Sequence, residues 1–436
     1  MEQLVLLLVF CIALAFLSFY SSRWSLLSPH FCFTICFVPG IAFSFFYIDE
    51  WNLDLSSMTV LVYLLGIFTF FITCLASQAI FNKFTIKSKY SIRKRINKLN
   101  ISKSKLALII VIQLITLALT YIFLFRHYGT NLSDAMFNYR INETTNSPYF
   151  VELPFFIKIL RRFCLSIGFF TCYLFVRELV YGYSVIKKIS FYCTLLAILN
   201  GITLGARGDS IHIIFAGIIQ FLIIYGIKNR GHIFKISIFF KIIGIFLILL
   251  FSFSFVGELL GRNMMTFLGL RDYIAVYISA EIKNLDSFIG QGNFGSSLSN
   301  SQVFANLSKL LAFICMDPSI EHSLTNPFQF INGFALGNVS TIFYAFVFDG
   351  GLIGLVIFTV IMGIVCQFFF YKALKSDPSS QICLSIIFYS YVLFTVSFSF
   401  FSDKFYEMIF NPVFVWFSLI LFLAKRFFSM KFNCRY

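Results

Sequence analysis

The sequence predicts an all-α, polytopic integral membrane protein with about eleven transmembrane helices and a large, partly helical outer loop. Of its 436 residues, 59% are hydrophobic and only 12% are charged, whereas soluble domains carry about 25% charged residues. Apolar runs of about 20 residues, the length that crosses a bilayer as a helix, recur along the whole chain. The weaker alternating pattern of a transmembrane barrel strand is absent from the sequence.

Eleven apolar runs are assigned as spans, and a count of ten or twelve stays open. The first run lacks the basic n-region and the small-residue cleavage site of a signal peptide, so we expect it to be retained as a span. The predicted spans are residues 2–20, 29–48, 57–82, 106–125, 155–181, 189–205, 210–226, 236–257, 350–371, 380–400 and 407–425. In chain order, spans one to eight occupy 1–257, the large outer loop 258–349, and spans nine to eleven with a basic tail 350–436.

The charge of the loops determines the predicted orientation. Residues 83–105 hold nine Lys or Arg and no acid, which is typical of a cytoplasmic loop. Counting spans from that loop places the other basic loops and the C-terminal tail on the same side, and the loops 126–154 and 258–349 outside. The formal net charge of +15 is then explained by cytoplasmic loops at a lipid bilayer, and we expect no nucleic-acid partner.

The eleven cysteines predict neither a disulfide framework nor a metal site. Nine of them lie in apolar spans, where cysteine behaves as a small hydrophobic residue, and the sequence has no CxxC pair. Cys315 and Cys434 lie in loops that the topology places on opposite faces. We therefore expect no metal ion and no cofactor.

The stretch NGITLGARGDSIHIIF, residues 200–215, places charged residues between two apolar spans. Gly201 and Gly205 form a small-xxx-small face that lets another helix approach closely, and the short turn holds Arg207 near the bilayer surface. A guanidinium presents a rigid fork of donors that matches phosphate oxygens. Arg207 is therefore a candidate for binding a lipid-linked phosphate, and the alternative is an interfacial anchor that reaches the headgroups.

The large outer loop carries Arg262 and Arg271 and a predicted amphipathic helix, LRDYIAVYISAEIKNLDSFI. Glu281 interrupts the apolar stripe of that helix, where partial desolvation should raise its pKa. It is a candidate general base for a sugar hydroxyl; the alternative is an ion pair within a surface helix, with Lys283 or another neighbour. The predicted apolar stripe is Leu270, Ile274, Tyr277, Leu285 and Phe288, and the predicted polar side is Arg271, Ser279, Lys283 and Asp286.

Four further features of the outer loops are candidates. The composition of residues 290–302 is typical of a hinge or of a plain linker. His322 is a candidate acid or base, and the alternative is a solvated side chain. Asp349, in GNVSTIFYAFVFDGG, lies close to the start of a span, where an acid tends to be functional or paired; the alternative is a helix cap. Arg140, in MFNYRINETTN, is a further candidate for binding the substrate, through its sugar.

At these residues the chain resembles the Wzy-type O-antigen polymerases, polytopic enzymes that polymerise oligosaccharide repeat units in Gram-negative envelopes. The resemblance is carried by GARGD after a middle span, by the arginine-rich outer loop with YISAEIKNLDSFI, and by GNVSTIFYAFVFDGGLIGL. The last segment is similar to the family's Asn-x-x-Thr followed by aspartate and glycine. The span spacing and two large outer loops agree over nearly the whole chain, but the paired arginine-x10-glycine motifs of some members are not found.

The resemblance implies a metal-independent glycosyltransferase of the bacterial inner membrane, with its active site facing the periplasm. Such an enzyme transfers a growing glycan from undecaprenyl pyrophosphate to the non-reducing end of a new lipid-linked repeat unit. It implies that Arg207, Arg262 and Arg271 bind pyrophosphate, that the substrates are undecaprenyl pyrophosphate-linked O-antigen repeat units, and that no cofactor is used. Whether a chain-length regulator is a partner stays open, as does the choice between Glu281 and Asp349 as the base.

The residues fit that chemistry without the family name. The sequence shows no Asp-x-Asp motif, Gly-rich phosphate loop or soluble domain for a sugar nucleotide, and a membrane-linked donor needs none. Departure of a lipid pyrophosphate builds negative charge, which positioned guanidiniums stabilise. The alternatives are a lipid-linked oligosaccharide flippase, the related O-antigen ligase and a membrane acyltransferase. A flippase predicts charges along a central path, whereas few charges lie mid-span, among them Lys241 and, near a span end, Glu178.

Overall fold

The structure is a computed structural model, and it describes residues 1–22, 25–83, 101–145, 147–182, 184–205, 207–229, 244, 270–292, 301–317 and 328–430. Over these residues it is mostly helical, with one two-stranded sheet. Nine of the described helices are long and apolar enough to cross a membrane, as in a multi-pass membrane protein. They are Glu2–Ser21, Pro29–Tyr47, Ser57–Asn82, Lys103–Tyr128, Phe155–Tyr181, Val185–Ile202, Gly208–Lys228, Ile342–Leu374 and Pro412–Ser429.

These nine helices coincide with nine of the eleven predicted spans. The predicted tenth span, 380–400, contains the shorter apolar helix Leu384–Ser397. The predicted eighth span, 236–257, lies outside the described residues apart from Gly244. The helical membrane class is thus supported, and the count of eleven and the periplasmic placement of the large loop stay predictions.

The elements are numbered here in chain order. The first eight helices are α1 (Glu2–Ser21), α2 (Pro29–Ser44, continued by a 3-10 turn, Phe45–Tyr47), α3 (Ser57–Lys83), α4 (Lys103–Tyr128), α5 (Leu132–Thr144), α6 (Phe155–Tyr181), α7 (Ser184–Ile202) and α8 (Gly208–Lys228). They are followed by α9 (Leu270–Gly290), α10 (Ala305–Cys315), β1 (Gln329–Ile331), β2 (Phe334–Gly337), α11 (Ile342–Leu374), α12 (Leu384–Ser397), α13 (Lys404–Ile409) and α14 (Pro412–Ser429).

The chain forms two compact units. The first is built from described residues within Met1–Tyr90, Met264–Lys372 and Val392–Phe414. The second is built from described residues within Ser91–Asn263, Ala373–Tyr391 and Val415–Tyr436. The units do not follow chain order, because the chain leaves each of them and later returns to it.

Helix α9 lies inside the first unit. It packs on α2 at Gly40, where a Cβ would lie 2.5 Å from the carbonyl oxygen of Ile278. Ser279 and Asp286, on the predicted polar side, are both buried, and Asp286 accepts a 2.9 Å hydrogen bond from the backbone N–H of Ser56 in place of water. The predicted helix is confirmed, and two residues of its predicted polar side are buried against protein instead of facing water.

The β-hairpin is held against α9 within the same unit. Its strands pair antiparallel, and its turn residues Asn332 and Gly333 have φ of +49° and +82°, the left-handed conformations that a tight two-residue hairpin requires. The side-chain amide of Asn284 donates to the carbonyl oxygens of Leu336, at 3.2 Å, and Val339, at 2.7 Å. The hairpin end is thereby fixed to the helix that carries Glu281.

Helix α11 is interrupted at a glycine pair. Gly350 has φ −152° and ψ 19°, and Gly351 has φ 58° and ψ −146°, neither of which is helical. The second combination is nearly confined to glycine because it has no Cβ. A short segment, 342–349, therefore precedes the kink, and the kink coincides with the predicted boundary between the large loop and the ninth span.

In the second unit, α6 is the most buried of the nine long helices. Gly168 admits α7, since a Cβ there would collide with that of Ala197 at 2.5 Å. Near the other end of α6, the fully buried Arg177 pairs with Glu178 and donates from Nε to the carbonyl oxygen of Pro378 at 2.7 Å. Glu178, which the sequence analysis noted as a charge near a span end, is therefore neutralised by the adjacent Arg177.

Candidate functional site

The turn between α7 and α8 is short and tightly packed, as predicted. A Cβ on Gly201 would collide with the Ser210 hydroxyl. Gly205 has φ +71°, and a Cβ there would lie 3.0 Å from the carbonyl oxygen of Met136 and 3.2 Å from the Cβ of Arg140. The prediction that these two glycines permit close approach is confirmed, and the element that approaches Gly205 is α5, from the outer loop 126–154.

Helix α5 presents Arg140 to this turn. The helix begins after Asn131, whose side chain accepts from the backbone N–H of Ser133, a common helix cap. Arg140 pairs with Glu143 at 2.5 Å, one helical turn further on. Its Nε is buried and has no hydrogen-bond partner among the described residues, so this guanidinium has a donor left for a ligand.

A second arginine, Arg161, reaches the same turn from α6, and the sequence reasoning missed it. It is buried, with 7% of its surface exposed, and donates a hydrogen bond to the hydroxyl of Thr203. Its charge also interacts with that of Asp209. The signal that could have identified Arg161 is the Arg-Arg pair inside an apolar span, because an intramembrane charge is usually functional. The second arginine of the pair, Arg162, is exposed.

Arg207 itself occupies the residue before α8 and is also buried, at 7% exposed. It therefore differs from an exposed anchor that extends to headgroups. Asp209 lies in the first turn of α8 and is exposed. Arg161, through Thr203, and Arg140, through its Cβ beside Gly205, thus contact the turn that leads to Arg207. Helix α8 begins directly after Arg207, and the N–H groups at a helix N-terminus favour an anion.

Glu281 occupies a very different environment, in the first unit. Only 1% of it is exposed, and neither carboxylate oxygen has a hydrogen-bond partner among the described residues. The ion pair with Lys283 does not form, since Lys283 donates instead to the carbonyl oxygen of Asn52 at 2.7 Å. Desolvation raises the pKa of Glu281 well above its ordinary value of 4.5, in the direction that the sequence predicted.

The Tyr63 hydroxyl is the side chain that links Glu281 to Thr341. Tyr63 of α3 is fully buried and interacts electrostatically with Glu281, and its hydroxyl lies near that of Thr341. Neither hydroxyl oxygen forms a hydrogen bond of normal geometry within the described part of the chain. Unpaired buried polar groups are costly. The Tyr63 and Thr341 hydroxyls and the Glu281 carboxylate therefore mark a candidate site.

Asp349, the other predicted base, is already engaged. Its carboxylate accepts from the Ser301 hydroxyl and from the backbone N–H groups of Gln302, at 2.7 Å, and Val303, at 2.9 Å. These residues lead into α10, so Asp349 anchors the chain there, 46 to 48 residues away in sequence. The predicted helix-cap alternative does not hold, because Asp349 binds residues that precede α10 and no side chain caps that helix.

The remaining predicted arginines divide between described and undescribed residues. Arg271 is exposed, and its guanidinium carbon lies 5.3 Å and 5.5 Å from the ring centroids of Phe46 and Tyr47, a cation–π arrangement. It belongs to the first unit, whereas Arg140 and Arg207 belong to the second. Arg262 lies outside the described residues, as does His322.

No group of three or more His, Cys, Asp and Glu side chains is arranged to hold a metal ion in the part of the chain that is described. Comparisons with protein-family models, with curated proteins and with solved structures found no match to this chain. Its function is therefore inferred from the sequence and from the geometry of these two sites.

Proposed function

We propose that this protein is an O-antigen polymerase of the bacterial inner membrane, a glycosyltransferase that uses lipid-linked glycans on the periplasmic face. The multi-pass helical architecture supports the membrane setting. The resemblance in the GARGD and GNVSTIFYAFVFDGG segments supports the polymerase class. The substrates are undecaprenyl pyrophosphate-linked repeat units, and a chain-length regulator is a further partner to test.

The observation that carries the proposal is that three arginines contact or belong to one turn. Arg161 binds Thr203, Arg140 packs on Gly205, and Arg207 belongs to the turn itself. Guanidinium forks match pyrophosphate oxygens, and donors fixed before the reaction stabilise charge as it develops. The turn closes two apolar spans, so its depth suits the headgroup of a lipid carrier.

The proposed reaction breaks the bond between the anomeric carbon of the growing glycan and the pyrophosphate oxygen. The acceptor hydroxyl oxygen forms the new bond to that carbon, and the pyrophosphate leaves with the electron pair. The acceptor hydroxyl gives its proton to a carboxylate base, for which Glu281 and Asp349 are the candidates. Burial raises the pKa of the Glu281 carboxyl well above its ordinary value, which suits a general base, whereas the Asp349 carboxylate is occupied by three donors.

A lipid-linked oligosaccharide flippase is the second candidate. It is disfavoured because Glu178 is neutralised by Arg177 in a buried pair, which leaves less charge for a path through the spans. The O-antigen ligase shares the expected architecture and a lipid pyrophosphate donor, so the cell's products must separate it from a polymerase.

The deciding experiment is a lipopolysaccharide gel from a strain that lacks this gene, with the gene restored on a plasmid as control. We expect the core band and a band with a single repeat unit, because flipping and ligation continue when only polymerisation is lost. Loss of every O-antigen band, single unit included, would assign the protein to flipping or ligation and overturn the proposal.

A further inference from the structure

A small cavity of about 60 Å³ lies in the first unit, between α10, the start of α11 and the segment that leads into α13. On this measure one water needs roughly 10–15 Å³, so the cavity has room for several water-sized groups. Its lining combines the Tyr344 ring and small apolar side chains with polar groups. The polar side chains are Gln302, Asn306, Ser340, Thr341, Ser402, Asp403 and Glu407.

Three of the polar groups in this cavity are buried and form no hydrogen bond of normal geometry. Gln302 is 6% exposed and Thr341 2% exposed. Among the described residues, the Gln302 Oε1 and the Ser402 Oγ have no hydrogen-bond partner, and the Thr341 Oγ1 forms no hydrogen bond of normal geometry, although it lies near the Tyr63 hydroxyl. Buried polar atoms are normally paired with protein or with a ligand, so these atoms indicate a bound group that supplies hydroxyls.

The charge of the lining limits the ligand. Asp403 and Glu407 disfavour an anion, so the phosphate part of a substrate does not fit here. Both carboxylates also have protein partners: Asp403 accepts from the backbone N–H of Tyr406 at 3.1 Å, and Glu407 pairs with Lys404 at 2.5 Å. A neutral, hydroxyl-rich ligand therefore fits better than a metal ion, and the Tyr344 ring provides an apolar face beside the polar atoms.

We propose that this cavity is the subsite for the hydroxyl-bearing edge of a sugar residue, held by Gln302, Thr341 and Ser402. The proposal rests on the proposed function, in which the sugar is the non-reducing end of the acceptor. The position fits that role because Thr341 lines the cavity and its hydroxyl also lies near that of Tyr63, which interacts with Glu281.

The test uses the purified full-length protein in detergent and, as probe, the repeat-unit oligosaccharide released by mild acid from the lipid carrier of the same strain. Saturation-transfer NMR and calorimetry measure its binding to the wild type and to Gln302→Leu, Thr341→Val and Thr341→Ser. We expect at least about tenfold weaker binding for Gln302→Leu and Thr341→Val, because a buried hydrogen bond is lost. Thr341→Ser keeps the hydroxyl and should bind like the wild type.

Gln367→Leu is the matched control. Gln367 is also buried, at 2% exposed, with an unpartnered Oε1, but it does not line the cavity, so its replacement should leave binding within about twofold of the wild type. Unchanged binding in Gln302→Leu and Thr341→Val overturns the proposal, as does an equal loss in Gln367→Leu. Binding of Mg²⁺ or Ca²⁺ alone, lost in Gln302→Leu and without any oligosaccharide binding, overturns it in favour of a cation site.

The two proposals fail in different ways. If the oligosaccharide binds through Gln302 and Thr341 but the gene deletion removes every O-antigen band, the sugar subsite stands and the polymerase proposal falls. If the deletion leaves a single repeat unit but the cavity variants bind normally, the polymerase stands and the subsite falls.

Discussion

Arg161 of α6 donates a hydrogen bond to the hydroxyl of Thr203 at the end of α7, 42 residues away in sequence. A buried guanidinium is costly unless its donors are satisfied, and this bond satisfies one of them at the turn that carries Arg207. The contact therefore fixes the position of a positive charge at the outer end of the helices in the predicted topology. Its consequences for phosphate binding can be measured directly.

We expect Arg161→Gln to reduce polymer formation by about 10²–10³-fold, the usual effect of removing one preorganised donor from a site of developing negative charge. The measurement is the lipopolysaccharide ladder together with the amount of protein in the membrane. Arg162→Gln is the control, since Arg162 is the adjacent arginine but is exposed, and its ladder should stay normal. A normal ladder from Arg161→Gln at wild-type protein levels would remove Arg161 from the site.

Arg207→Ala should abolish polymer while the protein stays in the membrane, because its guanidinium belongs to the turn on which the other arginines converge. Arg262→Ala and Arg271→Ala should have milder effects. Arg207→Lys retains the charge but loses the bidentate fork, so partial activity is expected. A full-length ladder from Arg207→Ala would contradict the assignment of this turn to pyrophosphate.

The spans and the Arg207 turn were predictable because their signals are local. Apolar runs of spanning length and the closely spaced Gly201 and Gly205 are visible in the sequence alone. Arg161 was missed because its meaning depends on Thr203, which lies in another helix. Glu281 was also predicted from local sequence, as a partly desolvated acid. Its complete burial depends on the packing of α9 inside the first unit, which the periodicity of an amphipathic helix does not reveal.

The hydrogen-bond partners of Asp349 could not be predicted from the sequence either. A carboxylate between aromatic residues and a glycine pair is a reasonable candidate for catalysis from sequence. Its partners are Ser301, Gln302 and Val303, and no sequence pattern connects these residues with Asp349. Long-range hydrogen bonds of this kind decide whether an acid is free to react or serves as an anchor.

Gly205→Ala should destabilise the protein. At φ +71° a side chain costs about 1–2 kcal/mol, and the new Cβ would meet the Met136 carbonyl at 3.0 Å. We expect a lower melting temperature in detergent and a weaker ladder, because α5 and Arg140 are displaced. Gly208→Ala is the comparison for stability: a Cβ there meets nothing within 4 Å and the residue begins α8, so its melting temperature should equal or exceed that of the wild type.

Glu281→Gln should abolish polymer and raise stability at neutral pH. Because burial raises the folded-state pKa above 4.5, the folded protein binds more protons than the unfolded chain above that pH. The contribution of Glu281 to stability therefore falls as pH rises from about 4.5 through its folded pKa. Glutamine does not titrate, so the variant should melt higher at pH 7, by about 2–4 °C per kcal/mol.

This difference between Glu281→Gln and the wild type should close as the pH approaches 4, where both side chains are neutral. Differential scanning fluorimetry across pH 4–8 measures it. Equal melting temperatures at every pH would show that the carboxyl is solvated, and a normal ladder from the variant would exclude Glu281 as the base.

Asp349→Asn tests whether this acid is an anchor or a base. Asparagine retains one acceptor oxygen and turns an NH₂ group toward the donors of the other, which should cost about 1–3 kcal/mol because the backbone N–H of either Gln302 or Val303 loses its acceptor. As an anchor, the variant should melt several degrees lower while polymer per folded molecule persists. If instead the ladder disappears at an unchanged melting temperature, Asp349 takes part in the chemistry, and the role assigned to Glu281 passes to it.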